Sequence, residues 1–455
     1  MKKIKTLIIL MLTLNMAYAQ HEHHMMDTTG KKPEAEMKAD TMPGKMEHHQ
    51  GHDSISSMTH AFSLNLPMTR NGSGTGWLPD ASPMYGNMYH SKKWMFMLHG
   101  NLFLHYTNQD FSNKGSRGGD KLDAPNWLML MGQRRVGEKG LFHFNTMFSL
   151  DAVTGGNGYP LLFQSGEAYQ GKPLVDRQHP HDLFAELSVS YAHTLSKKAD
   201  VFVYLAYPGE PALGPVAFMH RPAALYNPDA PLSHHWTDAT HISFGVVTAG
   251  ARLGKFKIEG SSFTGREPNE KRYDFDKPRF DSWSGRLSFN PSANWALQAS
   301  HGYIKSPEEL HAAEDVNRTT ASAIYSRPLK NTGSFNAIAL WGMNKVKGHD
   351  AEHAALLEAS LRKNKWAIHG RYEYVQKSVE ELNLDDAVYG HDAVFGVNAF
   401  TAGLNYDLFK LGNANVAGGT QLTVYKADKK LDALYGRSPM AFEVFLRIYP
   451  SLMKL

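Results

Sequence analysis

The chain has 455 residues, a formal charge of +4 and no cysteine. The length fits one large domain or about three ordinary ones, and the missing thiol excludes a disulfide framework, a thiolate zinc site, an iron–sulfur cluster and a lipidated N-terminal cysteine. The charge is mild and there is no long basic run, so nothing argues for nucleic acid, whereas 24 His and 21 Met raise the question of metals.

At the N-terminus, Lys2, Lys3 and Lys5 precede an apolar run from Leu7 to Met16, and Ala17-Tyr18-Ala19 follows before Gln20. A charged region, an apolar core and a small-x-small site predict a secretory signal peptide over residues 1–19, cut after Ala19. The alternative is an uncleaved anchor, but a spanning helix needs about 20 apolar residues. The same shortfall along the rest of the chain excludes a helical membrane transporter.

Residues 20–60 form a tail with seven His and six Met among Lys, Glu, Asp, Gly and Pro. With almost no large aliphatic side chains it cannot bury a core, and disorder is expected. Its candidate ligands are His21, His23, His24, Met25, Met26, His48, His49 and His52. Imidazole binds Cu(II), Zn and Ni, and thioether selects Cu(I), so the mixture favours copper in an oxidising compartment. The tail reads as a flexible multi-site chelator; the bland reading is a polar segment with incidental histidines. Residues 61–91 read as a linker or an N-terminal plug segment.

From residue 92 to 455 the hydrophobic period is two. Trp94, Phe96, Leu98, Leu102, Leu104 and Tyr106 alternate with Met95, Met97, His99, Asn101 and His105. Phe142, Phe144, Phe148 and Leu150 oppose His143, Asn145, Met147 and Asp151, and near the C-terminus Phe442, Val444, Leu446 and Ile448 oppose Glu443, Arg447 and Tyr449. Apolar-out and polar-in, in segments of about 10 residues, predicts an all-β fold, a transmembrane antiparallel β-barrel. A closed sheet pairs every backbone group in lipid without leaving an edge, and aromatic strand ends such as Trp94 and Tyr106 suit an interfacial girdle. A soluble sandwich also alternates, but here tight connections such as 136–140, 195–199, 253–255 and 363–365 take turns with long ones such as 108–124, 153–182, 209–239, 266–279, 378–392 and 427–438. Short periplasmic turns and long outer loops are the outer-membrane pattern. About sixteen strands are expected, from 94–107 to 439–449, with the sixth at 240–253. Both termini then lie in the periplasm.

Loops 153–182 and 209–239 are rich in Pro and Gly yet moderately apolar, which predicts that they fold inward as a plug. They bring His179, His181, Asp182, His220, His234, His235, Asp238 and, on the following strand, His241. Imidazoles and carboxylates at this density make a candidate metal site, and His179 and His181 flank a proline that can aim both rings at one ion. The alternative is a hydrogen-bonded network that only rigidifies the plug. On the lumen wall, Met95, Met97, His99, Met129, Met131, His143 and Met147 form either a soft-ligand patch or plain filler. The charged run Arg266–Asp276 is expected to pair with itself at the rim or in the plug. His241 and Ser243, two apart on a strand, resemble the His/Ser pair of the outer-membrane phospholipase family. Acyl transfer also needs an oriented base and an oxyanion stabiliser, and no third member is identifiable; the pair also faces the lumen rather than lipid.

Residues 72 to the end resemble a largely uncharacterised family of Gram-negative outer-membrane β-barrels often associated with copper-resistance determinants. The resemblance is carried by Gly72-Ser73-Gly74-Thr75, Trp77-Leu78-Pro79-Asp80, Tyr169–Asp182, Gly209–Pro222, His234–Gly245, Tyr273-Asp274-Phe275-Asp276 and Ser284-Gly285-Arg286-Leu287. It implies an outer-membrane barrel with a link to copper and supplies no catalytic residues. The expected protein is thus a barrel or channel that handles copper or another soft metal, not an enzyme, with no required cofactor beyond a copper ion. The alternatives are a general porin or structural barrel and, more remotely, a lipid hydrolase. Expected partners are outer-membrane lipid, metal ions and the barrel-assembly machinery, with no nucleic acid and no oligomeric state specified by the sequence. The tail would sit in the periplasm.

Overall fold

The computed structural model describes residues 59–112 and 116–453. The signal-peptide segment and the tail ligands His21 to His52 lie outside the described residues.

Sixteen antiparallel strands close into one barrel. The wall runs from Met95–Gln109 through Asn126–Val136, Gly140–Phe148, Phe184–Ser196 and Ala199–Ala206, and on to Ala414–Lys426 and Met440–Pro450. Closure is made by the last strand on the first, with Ala441 opposite Gln109 and Ile448 opposite Leu102. Two short strands, Asn87–His90 and Gly119–Asp123, extend the edges of the first strand beyond its main partners.

The alternation read from the sequence is the one the wall adopts. On Ala199–Ala206, Val201, Val203 and Leu205 are 39–45% exposed on the outside, and Asp200, Phe202 and Tyr204 are buried inside. On the last strand Phe442, Val444 and Leu446 point out while Glu443, Phe445 and Arg447 are buried. An outer surface of Val, Leu, Ile and Phe around a polar interior is what a barrel in lipid requires. Inside, polar side chains find each other: Lys257 reaches Glu259 at 2.7 Å, and Arg286 reaches the same carboxylate at 2.9 Å. No helix among the described residues is long and apolar enough to cross a membrane.

One strand differs from expectation. The sixth begins at Val246, not at residue 240, because residues 239–241 form a 3-10 turn and 242–245 remain in the plug. The plug owes its shape to two inserted loops. Tyr159–Tyr169 and Lys172–Gln178 pair as a hairpin inside loop 153–182. Residues 207–245 are almost wholly buried and carry a one-turn helix, His234–Thr237. Trp236 of that turn is fully buried, with the Lys377 ammonium 4.4 Å from its ring centre. Gly342 of the wall makes room for it: a Cβ there would come within 2.4 Å of the Trp236 carbonyl oxygen.

From the short-turn end, residues 59–85 pack against the same plug. Thr59 and His60, expected at the end of the tail, are buried in a short strand pair with Ser63–Pro67. Phe62 stacks on Phe202 at 4.8 Å. The Ser73 hydroxyl accepts from the Ala217 amide at 2.8 Å, and a Cβ on Gly72 would clash with Val216. Loops from one end and the N-terminal segment from the other meet inside the barrel and fill its lumen.

Candidate metal centre

Five histidines from the two inserted loops meet in a closed ring. Taken in the order His235, His179, His181, His241, His234 and back to His235, neighbouring imidazole centres are 5.7, 6.3, 5.4, 5.0 and 5.2 Å apart. The hairpin loop supplies His179 and His181 on either side of Pro180. The helical turn supplies His234 and His235, and the 3-10 turn after it supplies His241. The close approach of the two loops has a backbone cause: Gly166 sits at φ +107°, and a Cβ there would lie 2.3 Å from the His235 ring.

Each ring is held by its Nδ1. His179 faces Glu167 at 3.1 Å, His181 faces Asp151 at 2.6 Å, His234 faces Asp238 at 2.9 Å and His235 faces Glu267 at 3.6 Å. The His241 Nδ1 lies 2.9 Å from the carbonyl oxygen of Asp238. The Nε2 atoms of all five are buried and have no hydrogen-bond partner among the described residues. A carbonyl oxygen only accepts, so His241 must carry its proton on Nδ1 and leave a bare lone pair on Nε2. Asp238 is ionised and fixes His234 in the same tautomer.

The carboxylates are braced in turn. Asp238 accepts from the Phe218 amide at 2.8 Å and from the Thr237 hydroxyl at 2.9 Å, and it pairs with Arg221. Burial alone would raise its pKa, but the Arg221 guanidinium and the hydrogen bond from His234 outweigh that and hold it well below the usual carboxylate range. Glu167 pairs with Arg272, yet burial pushes it up to about 7 against that pull. Burial pushes His179, His234 and His241 below the ordinary histidine value, and His235 to about 3, so these rings are neutral at physiological pH.

This donor set fits a metal ion. Ligand atoms of His179, His234 and His235 all lie within 4.8 Å of one another; two nitrogens on a tetrahedral ion with bonds of about 2.0–2.1 Å lie about 3.4 Å apart, so only a modest closure is required. A carboxylate or carbonyl behind each imidazole is the usual support for a ligating histidine, because it fixes the tautomer and raises the basicity of the free nitrogen.

Six of the eight sequence-predicted plug residues come together here: His179, His181, His234, His235, Asp238 and His241. Asp182 stands behind the ring, paired with Arg272 at 3.4 Å, and burial raises it to about 7. His220 lies elsewhere, 4.6 Å from Trp127 and 6.1 Å from His99, ring centre to ring centre. The charged run Arg266–Asp276 does not pair only with itself as expected. Asn269 and Asp276 do, but Arg272 reaches across to Glu167 and Asp182, and Glu267 to His235, because the loop folds onto the plug and offers buried partners there. The braces Asp151, Glu167, Glu267 and Arg272 carry no motif; the one available signal was a buried-type loop holding isolated charges. His241 and Ser243 do not form a catalytic pair. They are not on a strand, and Ser243 donates to the Thr240 carbonyl at 3.2 Å while His241 donates to that of Asp238.

On the long-loop side, a cavity of about 120 Å³ touches Glu167 and is lined by Glu308, His311, Glu352, Glu380 and Glu381. On the wall, His105 and Glu443 meet Asp229 of the plug, with Gln421 donating to both carboxylates at 2.8 and 3.1 Å.

No protein-family model and no curated protein matches the chain. Among solved structures, the chain is similar to Salmonella typhi OmpF in complex with daunomycin, at 10% identity and a TM-score of 0.49 over 80% of this chain and all of that one. It is likewise similar to an anion-selective porin from Comamonas acidovorans, at 12% identity and 0.46 over 78% and 100%. OmpT, an outer membrane protein of Vibrio cholerae, follows at 8% identity and 0.44 over 80% and 99%.

Proposed function

We propose that this barrel sits in an outer membrane and handles metal ions, copper first among them, at the imidazole ring in its plug. The observation that carries the reading is the cluster of five imidazoles whose Nε2 atoms are buried without a partner among the described residues, while each Nδ1 lies toward a carboxylate or carbonyl oxygen. Leaving so many buried acceptors unpaired costs about 1–3 kcal/mol each, and a bound cation satisfies several at once. Imidazole suits Cu, Zn and Ni. The acidic mouth raises the local concentration of cations, and the His/Met-rich tail captures ions by ligand exchange. A passive route has no built-in direction. Location in the outer membrane rests on the apolar outer belt and on short turns at one end and long loops at the other.

The test is a calorimetric titration of the full chain in detergent with Cu(II) and Zn(II). Replacing His179, His234 and His235 by Ala removes one tight equivalent, and the tail equivalents remain. If the variant binds the same number of ions as the parent, the ring is a rigidifying network and the barrel a general porin or structural barrel.

A further inference from the structure

Ten methionines gather at one place in the lumen. Six are buried: Met68, Met95, Met97, Met129, Met131 and Met147. Met84, Met88, Met219 and Met453 pack against them. Of the twelve methionines after residue 58, only Met343 and Met440 lie outside this cluster. Gap-filling would scatter a flexible side chain through the several apolar clusters of the lumen; the other clusters use Leu, Ile, Val, Phe and Ala instead. Wall strands supply five of these thioethers, Met95, Met97, Met129, Met131 and Met147, with Met97 opposite Met131 and Met129 opposite Met147 in direct register.

The cluster is not closed on itself. A cavity of about 100 Å³ opens among Met84, Met97, Met129, Met131 and Met219. His99 and His220 also line it, 6.1 Å apart between ring centres, and the buried Nε2 of His99 has no partner among the described residues. A neighbouring cavity of about 50 Å³ shares Trp127, Met219 and Leu225 with it and reaches His179 and His181 of the imidazole ring.

We infer that the methionine cavity is a second metal site, selective for a soft monovalent cation such as Cu(I) or Ag(I), in series with the imidazole ring. Thioether sulfur is a neutral, polarisable ligand that selects Cu(I) over divalent ions. The surroundings select the same charge. Among the described residues no carboxylate lines the cavity, and two guanidiniums do: Arg221, which is paired with Asp238, and Arg447, which donates to Asn101 at 2.9 Å. Their repulsion doubles for a divalent ion. The ion enters and leaves in one oxidation state, so no electron donor is needed. The route rests on the metal reading of the ring; the site itself does not.

The experiment titrates the full chain in detergent with Ag(I) and, separately, with Zn(II). Substituting M97L, M129L and M131L together conserves side-chain volume, so the barrel stays folded, as heat-shifted gel mobility reports. The expected result is loss of one Ag(I) equivalent, or at least a tenfold weakening of it, with Zn(II) binding unchanged. M219L with H220A, which acts from the plug and not from the wall, gives the same loss. Anomalous scattering from silver should peak inside the cavity in the parent. Unchanged Ag(I) binding in both variants, or silver located only elsewhere, overturns the proposal. A chain that keeps its Ag(I) equivalent but shows no Zn(II) loss on replacing His179, His234 and His235 disproves the ring and leaves the methionine site standing.

Discussion

The imidazole ring and the methionine cavity share one lumen but are built by opposite means. The ring comes from inserted loops, and its ligands are aimed by charges: Asp151, Glu167, Asp238 and Glu267 behind the imidazoles, Arg221 and Arg272 behind the carboxylates. The cavity's cluster draws five of its thioethers from adjacent wall strands, whose pleat turns every second side chain inward, and no carboxylate lines the cavity among the described residues. A loop site needs a second layer of polar partners to hold its geometry, whereas a wall site inherits geometry from strand register. The first is therefore sensitive to single charges and to pH, and the second to side-chain chemistry alone.

Three perturbations sharpen that contrast. The largest effect is expected for Asp238→Asn. It leaves Arg221 buried beside a neutral partner and loosens His234, and breaking a buried pair in this way costs about 3–5 kcal/mol. Urea unfolding from detergent should register that loss, together with loss of the Zn(II) equivalent, while Ag(I) binding persists. An unchanged midpoint would mean the pair is not a support of the ring.

Glu167→Gln comes next. Removing such a brace typically lowers metal affinity about 10–100-fold, and the titration of Zn(II) measures it directly. Equal affinity in both chains would show that His179 is oriented by Pro180 and packing alone.

The smallest effect is the pH dependence. Glu167 is held up to about 7, so it gains its charge as pH rises through that value. Protonated, it donates to the His179 Nδ1 and forces the proton onto Nε2; ionised, it accepts from Nδ1 and frees Nε2 for a metal. Burial pushes His179 itself the other way, below the ordinary histidine value. Zn(II) affinity should be several-fold higher at pH 8 than at pH 6, and the step should vanish in Glu167→Gln. For stability the sign is opposite: a group raised in the fold contributes fully below its unfolded value and loses that contribution as pH rises through about 7. The metal-free barrel is thus weakened by this group at pH 8, where bound metal restores most. Ag(I) binding at the cavity should not follow the same step.

The wall was legible in the sequence because a period of two has one reading once the outer face must meet lipid. The alternation at Phe442–Tyr449 predicted which side chains are buried, and that at Trp94–Tyr106 did so except at Leu102, expected outside but buried; connection lengths predicted which loops are long. The start of the sixth strand was not legible. Ile242 and Phe244 alternate with His241 and Ser243 as a strand would, and only the plug contacts of Asp238 and Gly209 keep this stretch out of the sheet. The histidines were legible as candidates by density. Their braces were not, since Glu167 lies 105 residues from Arg272 and the two meet only because their loops fold into one lumen. His220 was grouped with the ring by proximity in sequence, but the turn at Phe218–His220 aims it at Trp127 instead.

The most direct test of the metal centre is anomalous X-ray diffraction at the copper edge from crystals of the full chain grown with Cu(II). The account predicts a peak about 2.0–2.1 Å from the Nε2 atoms of His179, His234 and His235, with the imidazoles drawn together and Glu167, Asp238 and Glu267 still behind them. Copper found at the tail or on the barrel surface, with the five rings unshifted and no density between them, would contradict it.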